Sequence, residues 1–200
     1  KQQIESRLNA HKDGLEQATR LSVGAFHADR FRAAGATHIV DFGSGIGADS
    51  MAFAALGFRS TAIEIDESTA AAAQLNLKPF PEVEVLNADG FDSDLEALGA
   101  DAIWIDPARR RDGRRLKNPE DWRPSLSAAI ELATRFDSAG IKVAPGIDYD
   151  ALPQDALVEW ISVDGDLVEA VIWLGAAAEK PGRHALVINS TSGANRWDSN

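Results

Sequence analysis

The feature that most constrains this fold is a strict alternation beginning at Thr37. THIVDFG (Thr37–Gly43) is an apolar run of strand length, followed by a glycine-rich turn and an Ala-rich helix from Gly47 to Leu56 that Gly57 closes. The pattern then repeats: STAIEID is a strand and Glu67 to Leu77 a helix that ends before Pro79. VEVLNAD and ADAIWIDP read as the third and fourth strands, PSLSAAIELATRF as a helix with Pro124 in its first turn, and GIKVAPG as the fifth strand. Strands separated by helices at this spacing predict a doubly wound α/β fold with a mostly parallel, Rossmann-like sheet. Beyond residue 150 the pattern changes. ALVEWISV and DLVEAVIWL flank Asp164-Gly165, a hairpin signal, and HALVIN supplies a last strand, so the sheet should finish in an antiparallel C-terminal edge.

Ahead of the alternation, a helical N-terminal segment (1–35) carries apolar positions at Ile4, Leu8, Leu15, Leu21 and Phe26, with Gly14 and Gly24 expected to divide it. Residues 36–190 are expected to form the α/β domain and 191–200 a polar tail. The chain opens on Lys1 and closes on that tail, which reads as a piece of a longer protein. With 200 residues, 44% of them apolar and 26% charged, the chain suits one globular domain and not a disordered one. No apolar run reaches the roughly 20 residues a membrane-spanning helix requires, and a cytoplasmic location is expected. Cysteine is absent, which excludes disulfides, Cys-ligated zinc and thiolate nucleophiles for this chain. His11, His27, His38 and His184 share no metal-ligand spacing, so they read as structural or exposed and no metal is expected.

The turn DFGSGIGAD lies between the first strand and first helix, where open α/β sheets bind ligands. Gly43, Gly45 and Gly47 permit a tight turn and close backbone approach, with Ser44 among them. By itself GSGIGA also fits a dinucleotide pattern. Asp41, two residues before the first glycine, would repel a pyrophosphate but favour a cationic or amino-bearing ligand. Glu64 closes the second strand, placed to accept hydrogen bonds from ribose hydroxyls, and Asp89 and Asp106 close the third and fourth. Four carboxylates thus line the carboxyl edge of the predicted sheet.

These residues resemble the class I S-adenosylmethionine-dependent methyltransferases. That resemblance, covering roughly Thr37 to Gly146, implies that Asp41, Gly43, Ser44, Gly45 and Gly47 hold the methionine part of the cofactor. It implies ribose binding for Glu64 with Ile65 beside it, and adenine binding for Asp89 with Ala88 and Gly90. A closer resemblance is to the THUMP-like bacterial methyltransferases, through LEQATRL, DFGSGIGAD, DPARRRDGRR, KVAPGI and EW-x6-LVEAVIW. In that family the methyltransferase core is one piece of a longer protein whose flanking domains would assist substrate binding, and the substrate is inferred to be RNA. Gln17 and Thr19 are further pocket residues by the same resemblance.

Asp106-Pro107 follows the fourth strand. In nucleic-acid amino methyltransferases the motif there holds the N–H of the acceptor through an acidic or amide side chain and a proline-fixed carbonyl, which implies the catalytic role for Asp106 and Pro107. Ala108 and Arg109 depart from that motif, replacing a second proline and a base-stacking aromatic. Next comes a charge anomaly. The chain carries a net charge of −11, yet five of the seven residues from Arg109 to Arg115 are arginine. Between Arg109 and Arg123 seven Lys/Arg stand against three Asp/Glu, a local +4 that leaves −15 on the rest. Arg109, Arg110, Arg111, Arg114 and Arg115 read as a phosphate-contacting rim that holds RNA beside the acceptor pocket, with Asp112-Gly113 turning the loop. A solvated basic loop paired with the protein's own acids is the plainer alternative. Methylation of a base nitrogen of RNA is therefore the leading expectation. A small-molecule methyltransferase with an anionic substrate and a non-catalytic S-adenosylmethionine-binding module for RNA or a partner remain open. A nicotinamide dehydrogenase fits Asp41 and Asp106-Pro107 poorly.

Overall fold

The computed structural model describes residues 22–111, 114–189 and 191–198. Strand β1 (His38–Phe42) is buried along its whole length and pairs in parallel with β2 (Arg59–Glu64) on one side and β4 (Ala102–Ile105) on the other. The parallel region continues through β3 (Val83–Asn87) beyond β2 and β7 (Ser138–Val143) beyond β4. β8 (Leu157–Val163) and β9 (Asp166–Gly175) form the expected hairpin, with Asp164 and Gly165 both at positive φ in its turn. β9 inserts antiparallel between β7 and β8, and β10 (Gly182–Asn189) runs parallel to β8. With β11 (Gly193–Asp198) at one edge, the main sheet has the order β11-β10-β8-β9-β7-β4-β1-β2-β3.

Helix α1 covers residues 22–33, α2 spans Ala48–Ala55, α3 Glu67–Leu77 and α4 Leu126–Ala133. Asp66 caps α3 by accepting from Thr69 N at 2.8 Å, and Ser125 caps α4 by accepting from Ala128 N at 3.2 Å. Pro124 therefore precedes the cap of α4 and does not sit in its first turn. Side chains alternate across the sheet, so β4 sends Ile103 and Ile105 to the core under α4, and Ala102 and Trp104 to the core under α1 and α2. In the second core Trp104, Trp173, Phe31 and Phe53 meet mostly edge to face, and each fully buried ring of this kind stabilises the fold by about 3 kcal/mol. Among the described residues no helix is long and apolar enough to cross a membrane.

Two sequence expectations change. Gly193–Asp198, expected as part of a polar tail, forms β11 and pairs antiparallel with β10. Its residues stay exposed, but Arg196 reaches the fully buried Glu159 at 2.9 Å, which Arg30 of α1 also contacts at 3.0 Å. An ion pair ties this strand down where apolar patterning is missing. Gly24, expected as a break, lies inside α1, where an added Cβ would stand 2.7 Å from the Cβ of Ala52. Its small size lets α1 pack closely on α2. Gly14 and the rest of the expected N-terminal helix lie outside the described residues.

Gly24→Ala should therefore destabilise the protein despite a gain of about 1 kcal/mol in helix propensity. Overpacking a tight contact costs about 1–3 kcal/mol, so the urea midpoint should fall; a rise would show that α1 and α2 do not approach this closely.

Candidate active site

The glycine turn is built as a cradle. Gly43, Gly45 and Gly47 all have positive φ, and the Gly43 and Ser44 amides donate to Ile63 O at 2.9 and 3.1 Å. A Cβ on Gly47 would come within 2.6 Å of Leu77, so this glycine seats the turn against α3. Glu64 anchors the turn directly: Oε2 accepts from Gly45 N at 2.9 Å while Oε1 accepts from Asp66 N at 2.9 Å. The Ser44 hydroxyl is buried and finds no hydrogen-bond partner among the described residues, an arrangement that suits a polar ligand against the turn.

Asp41 is engaged within the protein. It is fully buried, and its Oδ2 accepts from the Ser50 amide at 3.0 Å and the Ser50 hydroxyl at 2.6 Å. Burial and the nearby Asp49 charge push its carboxyl well above the usual range. It lines none of the three cavities described below, and its bonds to Ser50 clamp β1 to α2.

Two cavities meet at Gly43 and Asp106. The first, of 450 Å³, lies over β2 and β3 and is lined by Glu64, Ile65, Asp89 and Gly90, all expected from sequence. Phe91, Trp122, Arg123 and Ala128 complete it and were not expected. Ile65 and Phe91 are exposed apolar side chains beside the Asp89 carboxylate, whose Oδ1 accepts from Phe91 N at 2.9 Å. A Cβ on Gly90 would stand 2.2 Å from the Phe42 ring, so only glycine lets the chain pass there. The lining is thus largely apolar and includes the carboxylates of Glu64 and Asp89.

The second cavity, of 540 Å³, lies over β1, β4 and β7 and holds a string of charges. Asp106 Oδ2 accepts from Lys142 Nζ at 3.0 Å, and Lys142 Nζ stands 3.9 Å from Glu169 Oε2. Glu169 Oε1 is 2.6 Å from His27 Nε2, and His27 Nδ1 is 3.6 Å from Asp49 Oδ1. The His27 ring lies 4.3 Å from Trp104. Burial opposes charge on His27, but Glu169 and Asp49 push its pKa to about 9. Burial likewise opposes charge on Lys142, and Asp106, Asp49 and Glu169 together raise it. Asp49 would be pushed up by burial, but His27 and Lys142 hold it below the usual carboxylate range.

None of Lys142, Glu169, His27 and Asp49 was given a role from sequence. Lys142 and Glu169 each interrupt an otherwise apolar strand, in IKV and VEAVIW, and that interruption was a readable signal. His27, read as structural or exposed, falls between Val23 and Phe31 on the buried stripe of α1 and forms part of the cavity wall.

Beyond Asp106 the chain lines a third cavity, of 420 Å³, with Pro107, Ala108, Arg109 and Arg115. Ala108 and Arg123 exchange backbone hydrogen bonds of 2.7 and 3.1 Å, and Leu116 N donates to Arg109 O at 2.9 Å. Between these ties Arg110–Arg111 (β5) and Arg114–Arg115 (β6) pair as a two-stranded hairpin. Arg114 and Arg115 are exposed. Arg109 lines both the second and third cavities, and its Nη1 is buried without a hydrogen-bond partner among the described residues. Asp112 and Gly113, and likewise Gln17 and Thr19 with the LEQATRL motif, lie outside the described residues. No cluster that could hold a metal ion occurs among the described residues.

Comparison with known proteins agrees with this geometry. No family model matches the chain. Over 184 residues it is 32% identical to proteins from two strains of Mycobacterium tuberculosis, each named an uncharacterized S-adenosylmethionine-dependent methyltransferase. The match takes in 89% of this chain and 49% of theirs, so the chain spans about half the length of these relatives. A crystal structure of a Porphyromonas gingivalis protein described as a candidate methyltransferase superposes with a TM-score of 0.62 at 25% identity, covering 81% of this chain and 44% of that one. Monomeric WbdD shares the fold, with a TM-score of 0.54 at 13% identity over 79% of this chain and 41% of its own. The chain has the class I methyltransferase fold, an α/β arrangement with antiparallel strands at one side of its sheet. S-adenosylmethionine is the cofactor of that class of enzyme and of the named relatives.

The charge string makes stability depend on pH. A histidine whose folded pKa lies at about 9, above its ordinary 6.5, contributes fully below pH 6.5 and loses that contribution as pH rises through 9. Unfolding free energy measured in urea should therefore decline between pH 6.5 and 9. His27→Gln should flatten that decline, and a variant with the wild-type slope would show that His27 does not carry it.

Proposed function

We propose that this domain transfers a methyl group from S-adenosylmethionine to a nitrogen of an RNA base. When bound, the cofactor supplies a methyl carried on a sulfonium, whose C–S electron pair leaves with the sulfur. The chain's own residues have four tasks. Glu64 accepts from the ribose hydroxyls while keeping its hold on Gly45, since each carboxylate oxygen has a second lone pair. Asp89 takes the adenine amino group between Ile65 and Phe91. The turn from Gly43 to Gly47, with the Ser44 hydroxyl, holds the methionine end, and Asp41 keeps that turn seated. Asp106 receives the N–H of the acceptor, and Pro107 restricts the backbone beside it.

The observation that carries this reading is the meeting of the two cavities at Gly43 and Asp106, with the arginine hairpin starting four residues later, at Arg110. An anionic strand held by Arg109, Arg110, Arg111, Arg114 and Arg115 would present a base to Asp106 on a protein whose remaining charge repels it. The buried Arg109 Nη1 also favours a second reading, in which a small anionic molecule is the acceptor. We further propose that the chain belongs to the THUMP-like group on its shared motifs. We place it in the cytoplasm and assign part of the RNA contact to regions of the whole protein beyond this domain.

Calorimetry should show binding of S-adenosylmethionine and none of NAD. Labelled methyl should reach RNA from cells lacking the gene, and Asp106→Ala should reduce transfer by at least 100-fold. Transfer to small molecules alone would replace RNA by the second reading. Arg109→Ala and Arg110→Ala should weaken RNA binding, and the slope of log affinity against log salt should fall by about 1 for each phosphate no longer neutralised. An unchanged slope would make the hairpin a solvated loop.

A further inference from the structure

We infer that Lys142 is a positioning residue for Asp106: braced from behind by Glu169, its ammonium fixes the Asp106 carboxylate as an anion facing the cavity where the acceptor binds. This rests on the proposed role of Asp106 in receiving the acceptor's proton. The geometry is specific. Lys142 comes from β7, the strand beside β4, and its Nζ lies between Asp106 Oδ2 at 3.0 Å and Glu169 Oε2 at 3.9 Å. Glu169 comes from β9 on the far side of β7 and is itself held by His27 of α1 at 2.6 Å. Three adjacent strands and a helix thus contribute to one string whose exposed end is Asp106, with a third of its side chain accessible, while Glu169 and His27 are buried.

The need for such a device follows from the surroundings of Asp106. Burial pushes its carboxyl up, and Asp49 of α2 adds to that. Asp41 of β1 is close enough to interact with it as well. Against these stand Lys142 and Arg109. Only Lys142 makes a hydrogen bond to the carboxylate among the described residues, so it is the group that keeps Asp106 ionised. A protonated Asp106 could not accept a proton. As the acceptor nitrogen bonds to the methyl carbon it becomes cationic; its N–H electron pair then stays on nitrogen while the proton passes to Asp106, which returns it to water.

Two readouts test this. In Lys142→Met the acid limb of the pH–rate profile for methyl transfer should move up by at least one unit, with a tenfold or greater loss at pH 7 that recovers as pH rises; Lys142→Arg should restore most of the rate. Carbon-13 titration of the Asp106 carboxyl, identified through Asp106→Asn, should show the same upward move with no substrate present. If Lys142→Met does not fold, Asp106→Asn reports on the pair from the other side: acetic anhydride at pH 9 should acylate Lys142 severalfold faster than in wild type. A rate loss equal at every pH, with an unmoved carboxyl titration, or unchanged Lys142 acylation in Asp106→Asn, would overturn the inference. Wild-type protein that transfers no methyl to RNA would remove the proposed function, and the carboxyl titration would then decide the role of Lys142 alone.

Discussion

Both faces of the central strands are covered, and that constraint organises the rest of the molecule. β1 and β4 are buried at every position, so a side chain that must stay polar has only the ends of those strands to occupy. Asp41 sits one residue short of the end of β1 and is consumed by Ser50. Asp106 lies one residue past β4 and keeps part of its surface in the cavity. Two residues of register, at adjacent strands, separate a structural carboxylate from one available to a ligand.

Charge is then drawn into strings and not left in isolated pairs. An ammonium such as that of Lys142 inside a protein is costly unless several acceptors surround it. Asp106, Glu169 and Asp49 meet that need, His27 spans the gap between the last two, and the cationic and anionic groups nearly balance. The second set, Arg30–Glu159–Arg196, built on the buried Glu159, has a different consequence: it secures an exposed edge strand that has no apolar face of its own.

The two cavities differ in character because they lie over different parts of the sheet. Over β2 and β3 the lining is largely apolar and includes the carboxylates of Glu64 and Asp89; over β1, β4 and β7 it holds the charge string. In the proposed function the nucleoside of the cofactor lies in the first of these and its amino-acid end in the second, the two joining at Gly43 and Asp106. The arginine hairpin stands outside this frame, tied at its base by the backbone bonds between Ala108 and Arg123, with Arg114 and Arg115 exposed.

Much of this was legible in the residues alone. The alternation after Thr37 specified the parallel sheet, since apolar runs of strand length between helical ones have few other solutions, and Glu64, Asp89 and Asp106 were legible because strand ends are read directly from where such runs stop. The sequence could not show that β9 inserts between β7 and β8, that a polar segment becomes β11, or that Gly24 is a packing site. Those outcomes depend on pairing and contact between segments far apart in the chain. The same limit hid the charge string: His27, Asp49, Asp106, Lys142 and Glu169 come from five separate segments, and each segment supplies a single member. Local pattern determines which elements form and where they end. Only the tertiary structure decides which lone charges become neighbours, because burial makes each of them costly until the others arrive.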